Sequence, residues 1–285
     1  MFPNRLIAGA LLFCLAFTAA SCGGDGSADE VQARSDALVA APGDGLTYIA
    51  LGDSLSEGFG ASKPSETSFV PLVFTSLGAD YDLINMGHGG DTSADLMSHG
   101  HLNDAVQTIR DRSTDEIEGN EVTLVTLEIG GNDLLGLYFG VVLTGVCPDA
   151  TTALNKPECT EPLARALTEF DANLGETLDL LQEAAPSLTI LLLTLYNPFS
   201  GFLPVQSGVA ALSLEGIADS RFPEGLNDII RNHAGQRDIP IVDVYEPFEN
   251  RASELISGDF IHPNDAGYRV MADAVIATLD SLPEQ

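Results

Sequence analysis

The sequence predicts an α/β protein in which helices cover both faces of a parallel β-sheet. The chain of 285 residues is 45% hydrophobic, which is enough to form a sizeable core. Apolar runs rich in β-formers alternate with longer segments of helical pattern, and the runs are continuous, as in strands that are buried on both faces. Because crossovers between neighbouring parallel strands are right-handed, this alternation predicts one central sheet of about five strands.

The elements follow one another in a regular order. The strands are predicted over Leu46–Leu51, Tyr81–Met86, Val122–Ile129, Leu188–Tyr196 and Ile239–Val244. The helices are predicted over Phe69–Leu77, Ala94–Arg110, Leu163–Ala184, Gly225–His233 and Asn264–Leu282. Thr92 and Asp95 have the spacing of a capping box before the second helix. Two segments that follow strands, Leu134–Pro162 and Asn197–Pro223, exceed normal loop length, so we expect them to overhang a site at the carboxyl ends of the strands.

The charge of the chain excludes one class of partner. There are 42 acidic residues against 12 Lys and Arg, which gives a formal net charge of −30. Such a surface repels phosphate backbones, so nucleic-acid binding is excluded, and no basic patch is present that could dock on anionic lipid. A saline habitat and a genome that uses few lysine codons both account for the composition.

The N-terminus has the pattern of an export signal. Arg5 precedes an apolar run, Leu6–Ala20, that is too short for a stable membrane span. The run ends in Ala19-Ala20-Ser21-Cys22, which resembles a bacterial lipobox, although Leu is more usual than Ala at position 19. The resemblance implies a lipoprotein signal over residues 1–21, a lipid on Cys22 and a cell-envelope location; the alternative is an ordinary signal peptide. Residues 22–45 are predicted to be a flexible acidic tether to the membrane.

The remaining cysteines, Cys147 and Cys159, are predicted to pair. Cys14 leaves with the signal and Cys22 would carry the lipid, so these two remain in an exported chain, where disulfides persist. Closing so short a loop stabilises a fold by roughly 3 kcal/mol in the chain-entropy model. No Cys or His spacing typical of a zinc site accompanies the pair.

A serine and a histidine near opposite ends of the domain have the surroundings of catalytic residues. The first strand runs directly into Gly52-Asp53-Ser54-Leu55, a turn that can expose the hydroxyl of Ser54 while its own N–H faces an oxyanion. In Asp259-Phe260-Ile261-His262-Pro263, the carboxylate can hold one ring nitrogen of His262 and leave the other free. The G-x-S-x-G pattern of the α/β-hydrolases is absent from the sequence, so that fold is not supported.

Two further strand ends carry hydrogen-bond donors. The second strand leads into Asn85-Met86-Gly87-His88-Gly89-Gly90-Asp91-Thr92, and the third into Gly130-Gly131-Asn132-Asp133. Gly90 would offer a backbone N–H and Asn132 a side-chain amide. Together with the N–H of Ser54 they would form an oxyanion hole, whereas each taken alone is an ordinary turn.

In this order, the blocks GDSL, N-x-G-x-x-G-D-T, GGND and D-x-x-H-P resemble the SGNH (GDSL) hydrolase family over residues 47–277. The resemblance implies a flavodoxin-like, three-layer α/β/α domain over residues 46–285 and a serine hydrolase mechanism. It implies that Ser54 is the nucleophile, His262 the base and Asp259 its orienting acid, with Gly90 and Asn132 completing the oxyanion hole. It implies no metal and no cofactor.

Four other features carry lower weight. His99 and His101 could hold a metal, but no third ligand is near in sequence, so a surface turn is favoured. His88 is either a substrate contact or a plain loop residue. Glu128, inside the third strand, is interpreted as a structural acid that needs a partner. The apolar segment 134–146 is either the wall of an acyl pocket, a lipid contact or covered core.

The predicted activity is hydrolysis of carboxyl esters with short or medium acyl chains, from a small-molecule or lipid substrate. Lysophospholipids, acyl-thioesters and acetylated sugars are alternatives within the same family, and acyl transfer to an envelope sugar is another. Sugar recognition is disfavoured because aromatic residues make up only 7% of the chain and Trp is absent. The non-enzymatic alternative is a lipid-tethered binding protein on a hydrolase fold, but that hypothesis predicts the loss of Ser54 or His262.

Overall fold

A computed structural model describes residues 45–114, 117 and 119–283. The predicted signal peptide, Cys22 and the tether up to residue 44 lie outside the described residues, so they stay predictions. No helix within the described ranges is both long and apolar enough to span a membrane.

The core of the domain is a five-stranded sheet. Its strands are β1 Leu46–Gly52, β2 Tyr81–Gly87, β3 Val122–Glu128, β4 Thr189–Leu193 and β5 Ile241–Val242. All neighbours are parallel, in the order β2-β1-β3-β4-β5. This is the flavodoxin-like strand order, whose direction of winding reverses between β1 and β3. Ligands bind beyond the carboxyl ends of strands at such a point, and Ser54 and Asn132 follow these two strands.

Helices cover both faces of the sheet, which confirms the predicted three-layer α/β/α fold. In chain order they are α1 Ser54–Glu57, α2 Pro64–Thr67, α3 Phe69–Leu77, α4 Ser93–Ser98, α5 His101–Thr114, α6 Gly131–Leu137, α7 Ala150–Asn155, α8 Pro157–Ala184, α9 Pro204–Glu215, α10 Leu226–Gln236, α11 Tyr245–Phe248, α12 Ala252–Leu255 and α13 Asp265–Ser281. A single π-helical turn, Tyr138–Val142, extends α6.

The alternation of side chains along the strands divides the core in two. In β1, Tyr48 and Ala50 point to the face covered by α3 and α13, whereas Ile49 and Leu51 point to the face covered by α4, α5, α8 and α10. All four side chains are fully buried. The sheet is therefore closed to solvent on both sides, which is why its strands have continuous apolar sequences.

The structure differs from the sequence prediction at several boundaries. The predicted helix over Ala94–Arg110 is two helices, α4 and α5, because the chain turns at Gly100, whose φ of +94° favours glycine. The two long segments are mostly helical rather than irregular: they contain most of α6, α7, the start of α8, and α9. The last helix begins after Pro263 and is capped by Asn264, whose side chain accepts from the N–H of residues 266 and 267.

Candidate active site

The turn that carries Ser54 is fixed by the backbone behind it. β1 ends at Gly52, where a Cβ would lie 2.1 Å from the carbonyl oxygen of Glu128, so only glycine fits against β3. Asp53 then caps α1 by accepting from the N–H of Leu55 at 3.0 Å. Ser54 is the first residue of this short helix and is partly exposed at the carboxyl end of β1.

The histidine lies in a tight loop near the other end of the chain. The N–H of Ser257 donates to the carbonyl of His262 at 2.7 Å, and the N–H of Asn264 donates to that of Leu255 at 2.8 Å. Within this loop, Asp259 Oδ1 accepts from the N–H groups of Ile261 and His262, each at 2.9 Å. The loop therefore holds the carboxylate and the imidazole in a fixed relation.

Ser54, His262 and Asp259 form one hydrogen-bonded line. Ser54 Oγ lies 2.9 Å from His262 Nε2, and His262 Nδ1 lies 2.6 Å from Asp259 Oδ2. Both distances are within hydrogen-bond reach. The arrangement has the geometry in which an imidazole takes the serine proton while the carboxylate orients the ring.

Contacts between the segment that follows Ser54 and the C-terminal region bring Ser54 and His262 together across 208 positions of sequence. Asp265, the first residue of α13, accepts from Ser62 N at 2.8 Å and from Ser62 Oγ at 2.6 Å. Tyr268 on the same helix donates to the carbonyl of Phe59 at 2.6 Å. Tyr196, which follows β4, donates to the carbonyl of Ile261 at 2.8 Å. The relative position of Ser54 and His262 is thus set by several bonds.

The Asp259 carboxylate is stabilised in its charged form. Partial burial acts to raise its pKa, but the hydrogen bonds from His262, Ile261 and Ser257 outweigh burial and hold the pKa well below the usual range of aspartate. Asp259 is therefore ionised at neutral pH, as an acid that orients a histidine must be.

Three candidate oxyanion donors follow the carboxyl ends of β1, β2 and β3. The backbone N–H groups of Ser54 and Gly90 have no hydrogen-bond partner among the described residues. Gly90 is exposed and has a φ of +91°. Asn132 lines the same cavity as Ser54 and His262, and its Nδ2 donates to Asp53 Oδ2 at 3.1 Å and to the Asp91 carbonyl at 2.9 Å. The two backbone donors are free in this state, while the amide of Asn132 is engaged.

Behind Ser54, Asp53 and Glu128 form a buried pair of acids, and this pairing was not predicted from the sequence. Glu128 is fully buried and has no hydrogen-bond donor among the described residues, and its neighbour is the carboxyl group of Asp53. Burial, together with the charge of Asp53, raises the pKa of Glu128 well above its usual range. Burial also raises the pKa of Asp53 to about 6, against hydrogen bonds that lower it. Glu128 is therefore the more readily protonated of the two acids.

An apolar cavity of about 120 Å³ opens at Ser54. Ser54, Asn132 and His262 lie at its polar end. The remainder is lined mainly by apolar side chains of the two long segments, including Leu134, Leu137, Tyr138, Val141, Val142, Ala153, Val209, Ala210 and Leu212, together with Leu163 of α8. The expectation that both segments would overhang the site is confirmed, and segment 134–146 forms part of the cavity wall.

The cysteine pair lies in this wall. The sulfur atoms of Cys147 and Cys159 are 2.02 Å apart, which is bonding distance, and both residues line the cavity. The bond joins the end of the π-turn segment to the first turn of α8, so it fixes one side of the cavity to the long helix.

The sequence favoured a surface turn for His99 and His101, but in the structure these two residues and His88 form one group. All three surround Asp91, and one ligand atom from each of the four residues lies within 4.8 Å of the others. The two further members of this group, His88 and Asp91, are separated from His99 and His101 in the sequence by α4.

Comparison with known proteins finds a matching family. The sequence model of the GDSL-like lipase/acylhydrolase family matches residues 50–270. The chain is 25% identical over 240 residues to the spore germination lipase LipC of Bacillus licheniformis, which covers 81% of this chain and 95% of LipC.

Two solved structures show the same fold. The lipase Lip_vut3 from a goat rumen metagenome superposes with a TM-score of 0.61 at 22% identity, covering 82% of this chain and 97% of that one. A variant of Axe2, an acetyl xylan esterase from Geobacillus stearothermophilus, superposes with a TM-score of 0.55 at 18% identity, covering 85% of this chain and 98% of that one.

Proposed function

The chain belongs to the GDSL-like lipase/acylhydrolase family of carboxylic ester hydrolases, and we propose that it cleaves esters of short and medium acyl chains with Ser54 as nucleophile, His262 as base and Asp259 as orienting acid. The observation that carries the proposal is the unbroken line of hydrogen bonds from Ser54 Oγ through His262 to Asp259, at 2.9 and 2.6 Å.

In the acylation step, His262 Nε2 accepts the Ser54 proton as Oγ attacks the ester carbonyl carbon. The negative charge that develops on the carbonyl oxygen is stabilised by the free N–H groups of Ser54 and Gly90 and by the amide of Asn132. His262 then returns the proton to the leaving alcohol, and Ser54 carries the acyl group as an ester. Asp259 stays ionised and stabilises the imidazolium in both transfers.

Deacylation repeats the sequence with water. His262 accepts a proton from water as its oxygen attacks the acyl carbon, the same three donors stabilise the oxyanion, and the proton passes to Ser54 Oγ as the acid leaves. A protonated imidazole cannot act as the base in either step.

The cavity supports the acyl-chain range. A cavity of comparable size, about 150 Å³, admits benzene when it is lined by Leu, Ile and Phe. The cavity beside Ser54 is about 120 Å³ and mainly apolar, so it has room for an acyl chain of several carbons and little for a sugar ring. An acetyl group would leave most of its lining without contact.

Exposed aromatic residues extend the apolar surface to the entrance. The ring of Phe59 packs on His262 with 4.7 Å between centroids, and Phe260 stacks on Phe202 at 5.8 Å. These three phenylalanines are about half exposed. They supply an apolar rim that favours lipid-like esters over polar ones.

Acetylated carbohydrate is the second candidate substrate, because this chain shares its fold with the acetyl xylan esterase Axe2. Lysophospholipid, acyl-thioester and acyl transfer to an envelope sugar remain hypotheses for the same serine. Activity on acetate esters alone would favour deacetylation.

We also propose that the protein acts at the cell envelope, held by a lipid on Cys22 after removal of residues 1–21. Cys147 and Cys159 support an exported location, because a disulfide between them persists outside the cytoplasm. Radiolabelled palmitate should enter the wild-type protein but not Cys22→Ser, and equal labelling of both would contradict the anchor.

The test of the activity is hydrolysis of p-nitrophenyl esters from C2 to C16 by the purified protein, with Ser54→Ala beside it. The matched control is Ser76→Ala, which removes an exposed hydroxyl on α3 that bonds only the Val73 carbonyl. We expect Ser54→Ala to lower kcat by about 10⁴-fold or more, whereas Ser76→Ala leaves it unchanged. Undiminished hydrolysis by folded Ser54→Ala would overturn the proposed nucleophile.

A further inference from the structure

Three histidines and one aspartate converge beside the loop that follows β2. His88 and Asp91 lie in the loop after β2, His99 follows α4, and His101 begins α5. One nitrogen or oxygen from each residue lies within 4.8 Å of the others. The ring centroids of His88 and His101 are 4.9 Å apart, and His99 meets both rings edge-on at 5.9 and 6.3 Å.

Asp91 is the buried centre of this cluster. Its side chain is 1% exposed, while those of His88, His99 and His101 are 55%, 49% and 27% exposed. Asp91 Oδ1 lies 2.7 Å from His88 Nδ1 and 2.9 Å from His99 Nδ1. Asp91 Oδ2 has no hydrogen-bond partner among the described residues, and His101 Nε2 is 3.6 Å from it. A buried carboxylate oxygen without a donor requires a compensating positive group.

We propose that His88, Asp91, His99 and His101 bind a divalent transition-metal ion, with Zn²⁺ as the preferred ion. Imidazole nitrogens and a carboxylate oxygen are typical zinc ligands, and four of them complete a tetrahedral shell. In such a shell, ligand atoms are about 3.3 Å apart at bond lengths of roughly 2.0–2.1 Å. To reach this separation, the widest pairs of ligand atoms, now up to 4.8 Å apart, must close by about 1.5 Å. Asp91 Oδ1, at 2.7 and 2.9 Å from the Nδ1 atoms of His88 and His99, must open by about half an ångström. The partly exposed histidine rings allow both shifts.

The surroundings of the cluster also suit a cation. His99 Nε2 faces Asp95 Oδ1 at 3.8 Å. When His99 binds metal through Nδ1, its ring proton moves to Nε2, toward that carboxylate, which is the usual outer partner of a metal-bound histidine. The formal charge of −30 also raises the local concentration of cations at the protein surface.

The proposed ion would stabilise the loop that carries Gly90 and Asp91 and would not react with substrate. All four ligand positions come from the protein, so none is left for water or an ester oxygen. Asp91 directly follows Gly90, and the Asp91 carbonyl accepts from Asn132 Nδ2 at 2.9 Å. A metal held by the Asp91 side chain therefore fixes the segment on which both oxyanion residues depend.

The experiment is equilibrium binding of Zn²⁺ to the purified, chelator-treated protein, with the visible spectrum of bound Co²⁺ as a report on geometry. We expect one equivalent of Zn²⁺ and the intense absorption of tetrahedral Co²⁺. His99→Gln and His101→Gln should each raise the zinc dissociation constant by about 100-fold or more, because even the loss of an outer-shell partner costs roughly 10- to 100-fold. Both residues are at least partly exposed, so these variants are expected to fold.

The matched control is His233→Gln, which removes the histidine that pairs with Asp171 on a different part of the surface. It should bind Zn²⁺ like the wild type, and Zn²⁺ should raise the melting temperature of both. Absence of stoichiometric binding to the wild type would overturn the proposal, and so would equal binding by the His99 and His101 variants. The four residues would then form a hydrogen-bonded cluster around Asp91 only. Neither result depends on esterase activity.

Discussion

The side-chain amide of Asn132 donates to the carboxylate of Asp53 at 3.1 Å, which joins the proposed oxyanion donor to the residue that caps the nucleophile's helix. The same nitrogen donates to the carbonyl of Asp91 at 2.9 Å, so both amide hydrogens are engaged. An oxyanion beside Ser54 must draw one of these hydrogens toward itself. Asp53 therefore keeps the amide close to its working position before the substrate arrives.

This relationship predicts the effect of removing the amide. Asn132→Ala should lower kcat by about 10²–10³-fold, as the loss of one oxyanion donor does elsewhere, with a smaller change in KM. Steady-state hydrolysis of a medium-chain p-nitrophenyl ester measures both constants. Asn232→Ala, on the exposed face of α10, is the control. A fall in kcat below tenfold for Asn132→Ala would exclude Asn132 from the oxyanion hole.

Replacing Asp259 tests the orientation of the base. In Asp259→Asn the side chain can no longer stabilise the imidazolium, and its amide can impose the wrong tautomer on His262. We expect kcat to fall by about 10⁴-fold, as in other serine hydrolases with this change. The measurement is single-turnover acylation, with Asp280→Asn on the surface of α13 as control. Nearly unchanged acylation in Asp259→Asn would show that His262 is oriented by the loop alone.

Glu128 predicts a pH dependence of stability. Because its pKa in the folded protein is raised by burial and by Asp53, the native state holds a proton that the unfolded chain releases above the usual glutamate pKa. The free energy of unfolding therefore falls as the pH rises from that value toward the folded pKa. Glu128→Gln keeps a donor toward Asp53 but cannot ionise, so it loses this dependence.

Urea denaturation at pH 5 and pH 8 measures the effect. The stability of Glu128→Gln relative to the wild type should increase between the two pH values by about 1 kcal/mol or more, since one unit of pKa shift corresponds to 1.36 kcal/mol. If the free energy of unfolding changed with pH by the same amount in both proteins, the prediction for Glu128 would be wrong.

The cavity predicts a change in chain-length preference. Ala210 lines the cavity, and Ala210→Phe would place a ring in the space that we assign to the acyl chain. The ratio of kcat/KM for the C8 ester to that for the C2 ester should fall by at least about tenfold, because a filled cavity excludes several methylenes at roughly 0.8 kcal/mol each. The C2 rate is the internal control for intact catalytic residues. An unchanged ratio would place the acyl chain elsewhere.

The cysteines predict a loss of stability and of selectivity together. Replacing Cys147 and Cys159 by serine should lower the free energy of unfolding by roughly 3 kcal/mol. Because both residues line the cavity, the preference for medium chains should weaken as well. Mass spectrometry of the alkylated wild type checks the starting point, since one free thiol per cysteine would mean that no bond is present.

The sequence was sufficient to predict the sheet and the placement of the catalytic blocks. Each block follows a strand, and a parallel sheet brings the carboxyl ends of its strands to one edge, so Ser54, Gly90 and Asn132 were expected at that edge. His262 could be added because Asp259 stands three residues before it. The short helices α6 and α7 were missed because one or two turns are too few to show a period.

Other features depended on tertiary contacts that no local pattern contains. Glu128 meets Asp53 only because β1 and β3 are neighbours in register. His99 and His101 meet Asp91 only because the chain turns back at Gly100 between two helices. The sequence did contain a signal in both cases: Glu128 is an acid inside an apolar strand, and three histidines lie within fourteen residues. It did not identify the partners, which are Asp53 and Asp91.

The distance along the chain between Ser54 and His262 has a consequence for synthesis. A ribosome completes the strand that presents the serine early, but the histidine and the helix that secures it belong to the final quarter of the domain. A nascent or truncated polypeptide can therefore expose its hydroxyl without being able to activate it. With the roles proposed for Ser54 and His262, hydrolysis requires the docked C-terminal helix, so an unfinished chain would leave esters intact.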